Sequence, residues 1–177
     1  MKNQEVKFLW RVTASHTIAY FIAGCFAMYV FNYKELLESN TMALFMKPIT
    51  APIVALGPAL QIIRGLIVAL ILLPLRKVFT EEKYGFLKLG LLILGLSVFF
   101  TFAAAAGSFE GFIYTTISFL EQIIGYPEAI LWLSLFIGIL WLFYRFEKKI
   151  IDILAIIIMI LIILMGIAGY FATQSTL

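Results

Sequence analysis

The chain has 177 residues, of which 63% are hydrophobic and only 13% are charged, and its mean hydropathy is +1.06. A soluble domain carries about 25% charged residues, so this chain has too few to cover a surface that faces water. The net charge of +3 does not indicate nucleic-acid binding, because the basic residues cluster at the ends of apolar segments. Composition therefore excludes a soluble protein and indicates an integral membrane protein.

Five apolar segments predict an all-α integral membrane protein: a single domain, 1–177, with a bundle of about five transmembrane helices. Four segments are long enough to cross a hydrocarbon layer of about 30 Å, and the fourth in chain order is shorter. Continuous apolar runs such as 153–164 exclude the alternating pattern of barrel strands. The predicted spans are 12–31, 51–75, 87–106, 129–144 and 150–171.

The basic residues predict the orientation. Five spans place ten of them on one side of the membrane and only two, Lys34 and Lys47, on the other. This asymmetry predicts a cytoplasmic N-terminus and an external C-terminus, and the expected location is the plasma (cytoplasmic) membrane. The ten are Lys2, Lys7, Arg11, Arg76, Lys77, Lys83, Lys88, Arg145, Lys148 and Lys149. At the start of the last span, the two adjacent lysines are expected to pair with Asp152.

Segment 112–124, between the third and fourth spans, predicts an amphipathic helix. Its apolar residues recur at helical spacing, and polar residues occupy the other side. Such a helix lies at the external interface or folds inward as a re-entrant piece, and a sixth span is the remaining alternative. The apolar stripe is Ile113, Ile117, Leu120 and Ile124. A similar surface role suits 33–46.

The first span has a face of small residues, which lets helix backbones approach closely in lipid. These residues recur every four positions: Ser15, Ala19, Ala23 and Ala27. His16 overlaps this face and is expected to point into the protein. It either bonds to a neighbouring hydroxyl or carbonyl, or handles protons, because histidine titrates near neutral pH.

Arg64 is the only basic residue left within a span once topology accounts for the others. A central arginine costs about 2.5–3.5 kcal/mol on translocon scales, so it needs polar partners. Gln61 lies one turn away and can accept a hydrogen bond from the guanidinium. Pro58 leaves the carbonyl of Val54 without its helical donor, which favours a kink and a hydrated pocket.

Several residues are candidate partners of Arg64. Glu110 is the leading counterion, although it must fold inward from the external end of the third span, and Glu121 and Glu128 are further candidates. Ser97 and Thr101 lie nearer the expected depth of Arg64. The alternative to a ligand site is an internal ion-pair or hydrogen-bond network that fixes the helix arrangement.

Three functions remain open. The first is a binding or accessory protein, whose polar cavity holds a lipid headgroup, an anionic small molecule or a partner helix. An arginine suits carboxylates and phosphates because it can donate two parallel hydrogen bonds. The residues expected around this cavity are Arg64, Gln61, Glu110, His16, Ser97 and Thr101. The second is a subunit of a transporter or channel, with a polar path through His16, Arg64 and Glu110. The third is a membrane-embedded lipid-modifying enzyme, in which Glu110 or Glu121 acts as acid or base and Arg64 stabilises anionic charge; no nucleophile-base arrangement in the sequence supports it, so it ranks last. Membrane lipids and a homo-oligomeric or other membrane partner are expected, and no cofactor or metal is.

Overall fold

The computed structural model describes residues 2–31, 42–44, 46–100 and 103–175, and these residues form helices and connecting turns without a strand. Short 3₁₀ turns occur at Met42–Leu44 and Leu73–Leu75, and a π-helical turn at Leu94–Phe99. The α-helices are α1 (Lys2–Val30), α2 (Pro52–Leu72), α3 (Arg76–Thr80), α4 (Gly85–Ile93), α5 (Phe109–Tyr114), α6 (Phe119–Ile123), α7 (Tyr126–Phe146) and α8 (Lys149–Gln174).

Four stretches of the described chain are long and apolar enough to cross a membrane: Asn3–Val30, Pro52–Thr80, Phe119–Phe146 and Lys149–Gln174. They correspond to four of the five predicted spans. The third predicted span corresponds to a shorter apolar helix, Gly85–Ser97.

Helix α1 is the central element of the bundle. Every residue from Arg11 to Ala19 is buried, so this part of α1 is enclosed on all sides. Helix α2 runs antiparallel to it, because Arg76 bonds to Gln4 at one end while Gln61 meets His16 further along. Helix α7 is also antiparallel to α1. Helix α8 is antiparallel to α2, because Gly166 meets Ala59 and Gly169 meets Ala55, and it is therefore parallel to α1.

Small residues bring these helices together. The predicted stripe on α1 is buried throughout: Ser15, Ala19, Ala23 and Ala27 are at most 1% exposed. On α2, a methyl group added at Gly65 would lie 3.1 Å from the carbonyl oxygen of Thr13, so a larger residue would push the backbones of α1 and α2 apart by a few tenths of an ångström. Gly166 of α8 packs in the same way on Ala59 of α2.

Helix α4 and the π-helical turn run antiparallel to α7. Phe86 meets Tyr144 near one end, Gly90 faces Ile137, and Phe99 meets Tyr126 at the other end. The helical part ends at Phe99, so the prediction of a helix through 106 is wrong at its end. Phe100 leaves the helical conformation, with φ −111° and ψ 66°, and residues 103–106 are not helical. A turn at Gly107, where φ is +81°, then leads into a new helix that Ser108 caps.

The segment predicted as one helix, 112–124, is instead divided between α5 and α6. Thr115 is extended and ends α5, and the side chains of Ser118 and Glu121 form a capping box that begins α6. We call residues 103–125 the cap. It lies beside the start of α7, where the hydroxyl of Tyr126 donates to the carbonyl of Gly107 at 2.7 Å. Most of 33–46, the other predicted surface segment, lies outside the described residues.

Candidate functional site

A cavity of about 200 Å³ lies beside the cap and contains Arg64. Three long helices and the π-helical turn contribute to its walls. Tyr20 and Ala23 come from α1, Arg64 from α2, Ser97 from the π-helical turn, and Gly125, Glu128, Ala129 and Trp132 from the start of α7 and the residue before it. The cavity therefore joins a cation, a carboxylate and several neutral polar groups on one surface.

Arg64 reaches this cavity from the middle of α2. The Cα–Cβ bonds of a helix tilt towards its N-terminus, so this side chain is directed towards the end of the bundle that carries the cap. Arg64 is exposed, and its guanidinium forms no ion pair with a described residue. The chain thus presents a charged group on the wall of an open cavity, where it can donate hydrogen bonds to an anion.

The carboxylate that shares the cavity with Arg64 is Glu128, one of the further candidates named from the sequence. Both charges are close enough to Tyr20 to interact with it electrostatically. Glu110, the leading candidate, is exposed in α5 and does not line the cavity. Ser97 lines it, although its hydroxyl also donates to the carbonyl of Ile93 at 2.7 Å. Thr101 lies outside the described residues.

His16 and Gln61 form a separate polar contact deeper in the bundle. The Nε2 of His16 lies 3.3 Å from the Oε1 of Gln61, so the amide expected to bond to Arg64 faces the histidine. The imidazole is 1% exposed and packs edge-on against Trp132 and Phe136, with ring centroids 5.5 and 6.1 Å away. Trp132 connects this contact to the cavity, because its ring also forms part of the cavity wall.

Two polar atoms of α1 next to this contact are buried without a hydrogen-bond partner among the described residues. They are the Oγ of Ser15 and the Nδ1 of His16. The indole nitrogen of Trp132 is in the same situation. Buried polar groups are usually satisfied by protein or by ordered water, so this part of the bundle has unused capacity for hydrogen bonds.

The sequence reasoning missed a second charged site, around Arg11. Its side chain is buried, with Nη1 3.6 Å from Glu147 and Nε 3.8 Å from Asp152. The guanidinium carbon also lies 4.9 Å from the ring centroid of Tyr144, and Trp10 donates to Asp152 at 3.2 Å. Asp152 therefore pairs with Arg11, which corrects the expected pairing with the adjacent lysines.

A signal for this site was present at the start of the first predicted span and in the residue before it. Polar side chains occur at 11, 13, 15, 16 and 17, which are positions that together surround the helix. Lipid would meet some of them unless α1 were enclosed by other helices. This distribution indicates a central helix, and a central Arg11 needs a carboxylate from another span at the same depth.

Among the described residues, no three side chains of histidine, cysteine, aspartate or glutamate are grouped so as to hold a metal ion. Comparisons with protein-family models, with curated proteins and with solved structures found no match to this chain. The geometry of the Arg64 cavity is therefore the basis for a functional proposal.

Proposed function

We propose that this chain is a membrane protein with five crossings and a cytoplasmic N-terminus, and that it binds an anionic group in the Arg64 cavity. The anionic group belongs to a lipid headgroup or to a small molecule. The observation that carries the proposal is the exposed guanidinium of Arg64 on the wall of an open cavity, in the middle of a membrane-length helix.

The contrast between two arginines favours binding over a purely structural role. Arg11 is enclosed and already faces two carboxylates, as expected for a side chain that holds helices together. Arg64 has space beside it and forms no ion pair with a described residue. A guanidinium can donate two parallel hydrogen bonds to a phosphate or carboxylate, which makes an incoming anion a suitable partner.

The arrangement of helices supports the fifth crossing. Thr80 lies at the end of the bundle opposite to Tyr126, so the chain between them must pass from one end to the other. Gly85–Phe99 extends about 22 Å at 1.5 Å per residue, less than a hydrocarbon layer of about 30 Å, so the helical part of this crossing is shorter than those of the other four. The excess of basic residues at the ends of α1, α3 and α7 supports the cytoplasmic N-terminus.

Native mass spectrometry tests the binding proposal with Arg64→Ala and Arg64→Lys. We expect Arg64→Ala to lose co-purified anionic lipid or added anion, and Arg64→Lys to keep part of it, because lysine preserves the charge without the planar fork. Arg145→Ala is the matched control, since this arginine is exposed at the other end of α7. Unchanged retention by a folded Arg64→Ala variant would remove the basis of the proposal.

A second candidate function, as a subunit of a transporter or channel, is favoured by the unsatisfied polar atoms next to His16. Water that bonds to Ser15 and His16 would extend the polar region from the cavity towards the other end of α1. Proton or anion flux into liposomes that contain the purified protein tests this candidate. A His16→Phe variant should then lose flux but keep anion binding at Arg64.

A further inference from the structure

The cap has polar side chains inside and large apolar side chains outside, the reverse of a loop that lies in water. Ser108 and Gln122 are at most 3% exposed. Six large apolar or aromatic side chains, by contrast, are between 41% and 73% exposed. A cluster of exposed apolar side chains indicates contact with a membrane or with another protein. The six are Phe109, Phe112, Ile113, Tyr114, Phe119 and Leu120.

The buried polar side chains of the cap are satisfied by other groups of the cap. The hydroxyl of Ser108 donates to the carbonyl of Ala105 at 2.7 Å and accepts from the N–H of Gly111 at 3.0 Å. The amide of Gln122 accepts from the N–H of Gly107 and donates to the carbonyl of Gly111. Lipid chains offer no hydrogen-bond partners, so a segment that enters them must satisfy its polar groups internally. The buried side chains of the cap meet this condition.

Helix α5 carries an apolar face and a charged one. Phe109, Phe112 and Ile113 share one face, because residues three and four positions apart are neighbours on a helix. Glu110 is exposed and lies about 100° around the helix axis from Phe109. The ring centroids of Phe112 and Phe119 are 5.9 Å apart, so the apolar face of α5 continues onto α6. This division is typical of a helix that lies in a membrane interface.

Helix α7 indicates the level of the cap in the membrane. Tyr126–Phe146 extends about 32 Å at 1.5 Å per residue, which already matches a hydrocarbon layer of about 30 Å. The apolar stretch that contains α7 nevertheless begins earlier, at Phe119, and so includes α6. The bond from Tyr126 to the carbonyl of Gly107 holds the start of α5 close to the same level. The apolar side chains of the cap therefore lie where the hydrocarbon meets the headgroups.

We propose that the cap binds the membrane surface, with its apolar face among the outer parts of the lipid chains and Glu110 among the headgroups. Under the proposed orientation this surface belongs to the external leaflet. The occupant is lipid and not a second copy of the chain, because the apolar face is continuous with a membrane-length stretch and lies at the edge of the hydrocarbon. The inference does not depend on binding at Arg64. The inserted side chains are Phe109, Phe112, Ile113, Phe119 and Leu120.

Spin labelling of the full-length protein in vesicles of phosphatidylcholine and phosphatidylglycerol tests this proposal. Cys25→Ser removes the one native cysteine. Single labels are then attached after Phe112→Cys, Phe119→Cys or Glu110→Cys. Relaxation by oxygen, which dissolves in hydrocarbon, is compared with relaxation by a water-soluble nickel chelate. We expect the oxygen-to-nickel ratio to be several-fold higher at positions 112 and 119 than at position 110, the matched control on α5.

Three results would overturn the proposal. Preferential relaxation of the labels at 112 and 119 by the nickel chelate would show that the apolar face of the cap lies in water. Protection of these labels from both reagents, with dipolar broadening between molecules, would show that a second copy of the chain covers the face. An equally high ratio at position 110 would show that the cap is re-entrant and lies within the hydrocarbon.

A second set of variants tests whether the two phenylalanine rings hold the cap in the lipid. The label is attached after Ile113→Cys, and Phe112→Ser is combined with Phe119→Ser. Both rings are exposed, so the double substitution should leave the fold intact. We expect the oxygen-to-nickel ratio at position 113 to fall several-fold, whereas Glu110→Ser, the control truncation, should leave it unchanged. An unchanged ratio in the double variant would refute the assignment of these rings as the anchor.

Discussion

The Nε2 of His16 and the Oε1 of Gln61 lie 3.3 Å apart and join α1 to α2 within the bundle. The contact lies where Gly65 brings the two helix backbones together, with only 3.1 Å between an added methyl group and the carbonyl of Thr13. Close packing and a hydrogen bond between side chains therefore act at the same place. Such a contact fixes the relative register of the two helices.

A double-mutant cycle should detect this contact. We expect His16→Phe and Gln61→Leu to destabilise the protein singly, and their coupling energy to be about 0.6 kcal/mol and at most about 1.7 kcal/mol, the range of hydrogen bonds between membrane helices. Unfolding in mixed micelles containing dodecyl sulfate gives the four free energies. A coupling energy indistinguishable from zero would mean that the two side chains are adjacent without stabilising one another.

The ion pair between Arg11 and Asp152 should stabilise the end of the bundle that lies opposite to the cap. Asp152→Asn removes the charge but keeps an oxygen for the indole of Trp10, so it isolates the electrostatic contribution. We expect a loss of about 2 kcal/mol, below the value for a fully buried pair because the Asp152 side chain is 32% exposed. The same unfolding measurement in mixed micelles tests this value.

Two comparisons make the Asp152 prediction specific. Glu147→Gln should change the free energy of unfolding by less than about 0.5 kcal/mol, because the Glu147 side chain is 66% exposed. Arg11→Met combined with Asp152→Asn should be more stable than Asp152→Asn alone, since the single variant leaves the buried guanidinium with only the largely exposed Glu147, at 3.6 Å, as a counterion. Equal stability of these two variants would contradict the ion-pair interpretation.

The sequence could predict the helices and the small-residue face of α1, because both depend on local composition and spacing. It also identified Arg64 and included Glu128 among its candidate partners. It could not rank Glu128 above Glu110, since that choice depends on how the chain turns at Gly107 and folds into the cap. The partnership of Arg11 and Asp152 was missed for a related reason: it joins residues from opposite ends of the chain.

Gln122 should hold the cap in its folded form. Its buried amide accepts from the N–H of Gly107 at 2.6 Å and donates at 2.8 Å to both the carbonyl of Gly111 and the hydroxyl of Thr115. We expect Gln122→Leu to destabilise the cap locally by about 2–3 kcal/mol, since each unsatisfied buried group costs about 1–3 kcal/mol. Faster hydrogen exchange across 107–115, with unchanged exchange in α8, is the expected result.

A second substitution at this position refines the cap prediction. Gln122→Glu retains an acceptor for Gly107 but loses the donors to Gly111 and Thr115, so its hydrogen exchange should be intermediate between those of the wild type and Gln122→Leu. Gln174→Leu, at the exposed end of α8, is the control for loss of a glutamine. If neither substitution at position 122 changes hydrogen exchange in the cap, contacts other than those of Gln122 hold the cap in its folded form.

Glu128 should determine which headgroups the Arg64 cavity prefers. A cavity with a guanidinium and a carboxylate on its walls suits a headgroup that has both a phosphate and an amine, because each charge then meets its opposite. We expect Glu128→Gln to reduce retention of phosphatidylethanolamine several-fold relative to phosphatidylglycerol, which lacks the amine. Competition between the two lipids, followed by native mass spectrometry, measures this ratio directly.

Glu110→Gln makes the same chemical change outside the cavity and should leave the ratio unchanged. If Glu128→Gln weakens the binding of both lipids equally, the carboxylate contributes to the structure of the cavity without selecting the headgroup.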